Sequence, residues 1–283
     1  MNKATLARFQ EMLSRQDAEI DLPSASLLIA SDEYPTLDIS HYQALIAEMT
    51  GMVRCQLRTD PRQDGLHGIE VLNETLFKNL HFRGNVEDYY DPRNSFLNEV
   101  IERRTGIPIT LSVLYLSIGR GIGLDLFGVG MPGHFLVKCV HSGLEVFVDP
   151  FSQGEILLEQ DCERKHASIR VKEAFDPAFL EPVSNRQILM RILANLKNIY
   201  LSQEDYTRGL RTIERMLFVN PLAAAEIRDR GSVHYQLKAY SLALGDWSHY
   251  LTLRPDAADA HIIAANCKEL RAMLALASKP MLN

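Results

Sequence analysis

From Asn185 onward the chain repeats itself at an interval of 34 residues. Pro221 returns as Pro255, Tyr206 as Tyr240, Leu210 as Leu244, Leu217 as Leu251, and the small Gly209 as Ala243. A period of this length, with apolar residues at helical spacing inside it, specifies stacked antiparallel helix pairs, because one pair can bury its apolar face only against a neighbour. The small residue falls where the two helices of a unit approach closely. Tyr200, Ile213 and Trp247 take the large-residue positions. Proline at the end of each unit stops its second helix, and residues 256–274 read as a closing helix. An independent solenoid needs about three repeats or more. The helices here therefore serve either as a groove for a protein or peptide, with Tyr200, Tyr206, Tyr240 and Trp247 as its binding residues, or as a cover for the rest of the chain.

The first 80 residues also read as helices. Leu6, Phe9, Met12 and Leu13 follow helical spacing, as do Tyr42, Leu45, Ile46 and Met49, and then Ile69, Leu72, Leu76 and Leu80. Residues 81–94 are polar and turn-rich. Asn94 or Ser95 is the expected N-cap of the helix in SFLNEVIERR. Gly106 is expected to end that helix at C′, and Pro108 to start the next, where a missing N–H costs nothing. Leu111, Leu114, Tyr115 and Ile118 give this second helix a broad apolar face, which predicts burial. Short strands are expected at 126–130, 135–140 and 144–148, with His141-Ser142-Gly143 as a hairpin turn. A short helix near Leu158–Lys165 and the loop FDPAFLEPVSN lead to the repeats. The expected fold is α+β: a helical N-terminal region and a core with a small antiparallel sheet over 1–184, then an all-α region over 185–283.

Several function classes are disfavoured. A net charge of −6 supplies no basic field for nucleic acid or anionic lipid. No apolar run approaches a membrane span, and the N-terminus has no signal-peptide h-region. Cys55, Cys139, Cys162 and Cys267 form no C-x-x-C pair, which favours a reduced, cytoplasmic protein. The histidines show no ligand spacing, so no metal is expected. Gly128, Gly130 and Gly133 spell G-x-G-x-x-G, but a strand follows instead of a helix and Pro132 removes a donor, so no dinucleotide cofactor is expected. Arg103, Arg104 and Arg120 read as solvated or ion-paired.

The residues with chemistry lie between Gly106 and Pro150. His134 opens one expected strand and Asp149 closes the next. A histidine held in one tautomer by a carboxylate is the base of a catalytic triad. Asp149 in V-D-P suits equally a cap on the turn that Pro150 begins. Thiol enzymes of the transglutaminase-like and papain-like kinds place their cysteine at the head of the preceding helix, where the dipole lowers its pKa. That place holds Pro108 here. Ser112 lies one turn further in on the same face, and Thr110 points roughly 200° away. Both are expected to bond a carbonyl one turn back. Cys139 is expected to face away from His134.

The stretch NVEDYYDPRNSFLNEVIERRTGIPITLSVLYLSIGRGIGLDLFGVGMPGHFLVK, then VFVDP and the 34-residue period, resembles the bacterial transglutaminase-like/tetratricopeptide proteins. This is an uncharacterised family that includes Sir-B type proteins proposed to regulate invasion genes, with a related core in a eukaryotic F-box protein. The resemblance covers nearly the whole chain. It implies a transglutaminase-like core of the cysteine-protease superfamily with a tetratricopeptide tail, and places His134 and Asp149 at two of the three triad positions. Some related proteins carry G-x-C-x-S-L-S where this chain has Gly106-Ile107-Pro108-Ile109-Thr110-Leu111-Ser112. The expectation is a non-catalytic adaptor with a vestigial triad. The alternative is a hydrolase or acyltransferase on peptide or amide bonds with another nucleophile.

Overall fold

The computed structural model describes residues 3–59, 65–141, 144–169 and 173–277. The chain divides into two compact units, Met1–Ile192 and Leu193–Asn283.

The first unit begins with helices α1 (Lys3–Leu13), α2 (Leu22–Ala30), α3 (Ile39–Thr59) and α4 (Gly65–Asn73). A π-helical turn, Glu74–Asn79, extends α4. Helices α1, α3 and α4 lie where the apolar spacing predicts them. Helix α2 does not announce itself in the sequence. Eight of its nine residues are buried, so LPSASLLIA carries no amphipathic period. Asp21 caps it by accepting from the Ser24 N–H.

Two short parallel strands follow, β1 (Arg83–Gly84) and β2 (Thr105–Gly106), paired Gly84 to Gly106. Between them lies α5 (Leu97–Arg103), and after them α6 (Pro108–Gly121). Asn94 and Ser95 do not cap α5. They belong to a 3-10 turn, Pro92–Ser95, capped by Asp91, and Asn94 turns its side chain back to the Asp88 and Tyr89 carbonyls. Gly106 is not the C′ residue either. Arg104 takes the left-handed conformation at φ 52°, leaving Gly106 free to pair in β2.

Pro108 does start α6. Eleven of this helix's 14 residues are buried, because it packs against α2, α3, α4 and α5 and also against the main sheet. That sheet is antiparallel in the order β3 (Leu126–Val129), β4 (Leu136–His141), β5 (Leu144–Asp149), β6 (Glu155–Leu157). The three-residue edge strand β6 has no signal in the sequence. Val129, Met131, Leu136, Phe147, Leu157, Cys162 and Leu180 form the core on one side of the sheet. Each such fully buried aliphatic or aromatic side chain contributes about 1.5–3 kcal/mol. Helix α7 (Glu159–Ser168) closes this side. The expected turn at Ser142 and Gly143 lies outside the described residues.

The second unit comprises the end of α8 (Asn185–Ser202) with α9 (Tyr206–Val219), α10 (Ala224–Gln236), α11 (Tyr240–Leu253) and α12 (Ala260–Ala277). Its core holds Ile227, Ala243, Trp247, Tyr250, Ile263, Cys267 and Leu270. A methyl group on Gly209 would stand 2.8 Å from Leu201, so the small residue lets α8 and α9 touch. The division between units falls inside α8, eight residues beyond the expected boundary. The head of α8 is tied to the first unit, where Asp17 accepts from the Asn185 and Arg186 N–H groups. No described helix is long and apolar enough to cross a membrane.

Candidate functional site

Met131, Pro132, Gly133 and His134 form a tight turn closed by the His134 N–H on the Met131 carbonyl, 3.0 Å. Proline at the second position and a glycine with φ of 75° at the third give the type II pattern. The G-x-G-x-x-G letters therefore spell a turn. They build no phosphate cradle. His134 leaves this turn two residues ahead of β4, so it precedes the strand it was expected to open. The pairing of Val137 with Val148 sets Asp149 across from Leu136, hence next to His134 upstream.

His134 Nε2 and Asp149 Oδ2 are 2.9 Å apart, with His134 9% exposed and Asp149 fully buried. The two readings of Asp149 hold together, because its oxygens divide the work. Oδ1 accepts from the Phe151 and Ser152 N–H groups at 3.0 and 3.2 Å, which caps the turn after β5. Oδ2 faces His134 and also accepts from Ser152 Oγ at 2.8 Å and from the Lys165 ammonium. Lys165 comes from α7 and reaches Glu155 at 2.7 Å as well. Burial pushes the Asp149 pKa up. The hydrogen bonds and charges of His134 and Lys165 outweigh it and hold the carboxyl far below its usual range.

Around this pair lie aromatic rings. Phe151 meets the His134 ring edge-on at 6.1 Å, and Tyr89 meets Phe151 at the same distance. Phe151 lies so close to Gly84 that any side chain there would collide with its ring, 2.6 Å away. Gly84 pairs with Gly106 two residues before Pro108, and so links the head of α6 to the loop bearing Tyr89. Arg191, on α8, donates from Nη2 to the His134 carbonyl at 3.3 Å.

The hydroxyls of α6 meet the expectation only in part. Thr110 Oγ1 accepts from the Ile107 N–H at 3.2 Å and reaches the Ile107 carbonyl one turn back at 3.2 Å, but its shorter bond, 2.7 Å, goes to the Asn94 carbonyl far along the chain. Ser112 Oγ is fully buried and has no hydrogen-bond partner among the described residues. Cys139 and Cys162 are buried and Cys55 is exposed on α3. Burial, with Asp161 adding to it, pushes the Cys162 thiol up to about 12, and burial followed by Asp125 raises Cys139. Arg103 pairs with Asp91 at 3.4 Å and Arg120 donates to the Leu126 carbonyl at 3.0 Å.

In the second unit Trp247 and Tyr200 are buried, and Tyr206 and Tyr240 are half-buried. Trp247 floors a groove of about 390 Å³ among α10, α11 and α12, whose walls include Tyr235, Leu270 and Met273. Tyr235 stacks on Trp247 at 5.7 Å and meets Tyr240 at 5.5 Å. Tyr235 and Met273 have no place in the 34-residue pattern, which marks packing positions rather than groove walls. Lys165 and Arg191 were also missed, because nothing local ties a lysine of α7 or an arginine of α8 to the His134 turn.

Comparison with known proteins agrees with this architecture. Residues 40–194 match the model of the transglutaminase-like superfamily, and residues 196–267 match a tetratricopeptide-repeat model. A UPF0162 protein of Xylella fastidiosa (strain Temecula1) is 36% identical over 272 residues, covering 94% of this chain and 95% of its own length. A UPF0162 protein of Vibrio cholerae is 31% identical over 71% of this chain and 75% of its own. Human F-box only protein 21 is 32% identical over 139 residues, which are 46% of this chain and 21% of that protein. No solved structure matches significantly. The chain belongs to the transglutaminase-like superfamily, alongside the bacterial UPF0162 proteins and with tetratricopeptide helices at its C-terminal end.

Proposed function

We propose that the protein is a non-catalytic adaptor, a thiol-hydrolase-like core without its thiol joined to helices that bind a protein partner in the cytoplasm. The observation that carries this is the head of α6. Pro108 stands at its first position with neither thiol nor proton, and the two buried cysteines of the core have raised pKa values that disfavour thiolate. His134 and Asp149 are then a vestigial pair that braces the turn after β5. The groove floored by Trp247 is the partner site in this proposal. Its wall residue Met273 is 39% exposed, so Met273→Asp changes the groove without touching the core. Pull-downs from a native extract should recover fewer specific proteins with Met273→Asp than with the natural chain. Identical recovery would count against the adaptor.

One observation favours a hydrolase or acyltransferase instead. Ser112 Oγ is a buried hydroxyl without a partner, one turn inside α6. A fluorophosphonate serine probe distinguishes the two roles. Labelling abolished by both Ser112→Ala and His134→Ala would establish the enzyme, and absence of labelling supports the adaptor.

A further inference from the structure

Arg191 has a place in the fold that the His134–Asp149 pair does not explain. Its guanidinium is half-buried, and its one described hydrogen bond is the 3.3 Å contact from Nη2 to the His134 carbonyl. No carboxylate forms an ion pair with it among the described residues. Asp149, the acid beside His134, is already taken up by His134, Lys165 and Ser152. Burying a guanidinium without an opposite charge is costly, and desolvation accordingly lowers the Arg191 pKa. Four of its five N–H donors have no partner among the described residues.

The surroundings match a ligand with a negative end. Tyr89 lies near enough to Arg191 for their charges to interact, and it is 36% exposed, so this edge of the site reaches solvent. Burial raises the Tyr89 pKa more than Arg191 lowers it, which keeps the phenol protonated as an O–H donor. Phe151, in edge-on contact with both Tyr89 and His134, adds an apolar ring to this edge of the site. The guanidinium fork suits an oxyanion, which it can hold through two parallel hydrogen bonds.

We propose that Arg191, assisted by Tyr89, binds an oxyanion group, carboxylate or phosphate, of a ligand held beside His134. This goes beyond the adaptor role and does not depend on what the C-terminal groove binds.

The test uses the full chain and nuclear magnetic resonance of arginine Nε–H and histidine Cε1–H groups. Acetate and inorganic phosphate are titrated in turn at pH 7.5, with chloride as the control at equal ionic strength. The expected result is a saturable shift at Arg191 and His134 with at least one of the two anions and none with chloride. Acetate binding more tightly than phosphate points to a carboxylate-bearing ligand such as a peptide acid, and the reverse order to a phosphorylated one. Arg191→Met should weaken the binding at least about tenfold, the loss of one charged hydrogen bond, and Arg191→Lys should weaken it less. Shifts no larger than those with chloride in the natural chain would overturn the proposal, whatever the variants do. So would unchanged binding in a folded Arg191→Met protein. Either failure leaves the Met273 pull-down standing.

Discussion

A single change at Asp149 would disturb several parts of the core at once. This residue is fully buried and holds His134, Lys165 and the turn at Phe151–Ser152 together. Asp149→Asn keeps the shape and removes the charge, leaving Lys165 beside a neutral amide. The expected loss is about 3 kcal/mol in urea unfolding, the range for breaking a buried pair by removing one partner. The pH dependence follows from the same residue. Its pKa is depressed on folding, so its stabilisation is present above the unfolded carboxyl value, about 3.9, and drains away as pH falls below it. Stability measured from pH 6 downward should fall steeply in the natural chain and more gently in Asp149→Asn. Parallel slopes would show that other carboxylates dominate. The His134–Asp149 pairing was legible because order along the chain and short connections nearly dictate it. Lys165 and Arg191 were not legible, since each joins the pair only through tertiary packing, Arg191 from 57 residues away.

Among the elements, helices with one wet face declared themselves, as did the largely buried α6 through its Pro108 start and broad apolar face, whereas the short buried α2 did not. Helix α9, with buried residues recurring along one face in every turn, shows its period plainly, whereas α2 is buried nearly all round and shows none. The short pieces β1, β2 and β6 are two or three residues long, below the length at which strand alternation carries information. Caps failed where a side chain had a better use. Asn94 bonds its own turn, and Arg104 takes the left-handed conformation usually left to glycine. The 34-residue offset correctly located the tight contact at Gly209. Gly209→Leu should push α9 from Leu201 and destabilise the second unit by about 1–3 kcal/mol through overpacking. Trp247 is the single tryptophan of the chain and lies in that unit's core, so its fluorescence reports the change directly.

For the whole molecule, the division into two units has a measurable counterpart. Cys139 and Cys162 are buried in the first unit and Cys267 in the second, while Cys55 is exposed. One thiol should react rapidly with a chromogenic disulfide in the native protein and three slowly. If the units unfold separately, Gly209→Leu should speed the reaction of Cys267 and shift the Trp247 transition, leaving Cys139 and Cys162 as protected as before. Equal exposure of all three would mean a single cooperative body. The glycines add a different map, one of evolutionary freedom. Gly154 has a φ of 79° and its Cα faces the Asn73 side chain, which donates to the Gly154 carbonyl at 2.7 Å and accepts from Tyr115 at 2.9 Å. Gly51 and Gly245, inside α3 and α11, have open space where a Cβ would go. In a saturation library selected for soluble expression, position 154 should return glycine alone. Positions 51 and 245 should drift to alanine, the better helix former by about 1 kcal/mol.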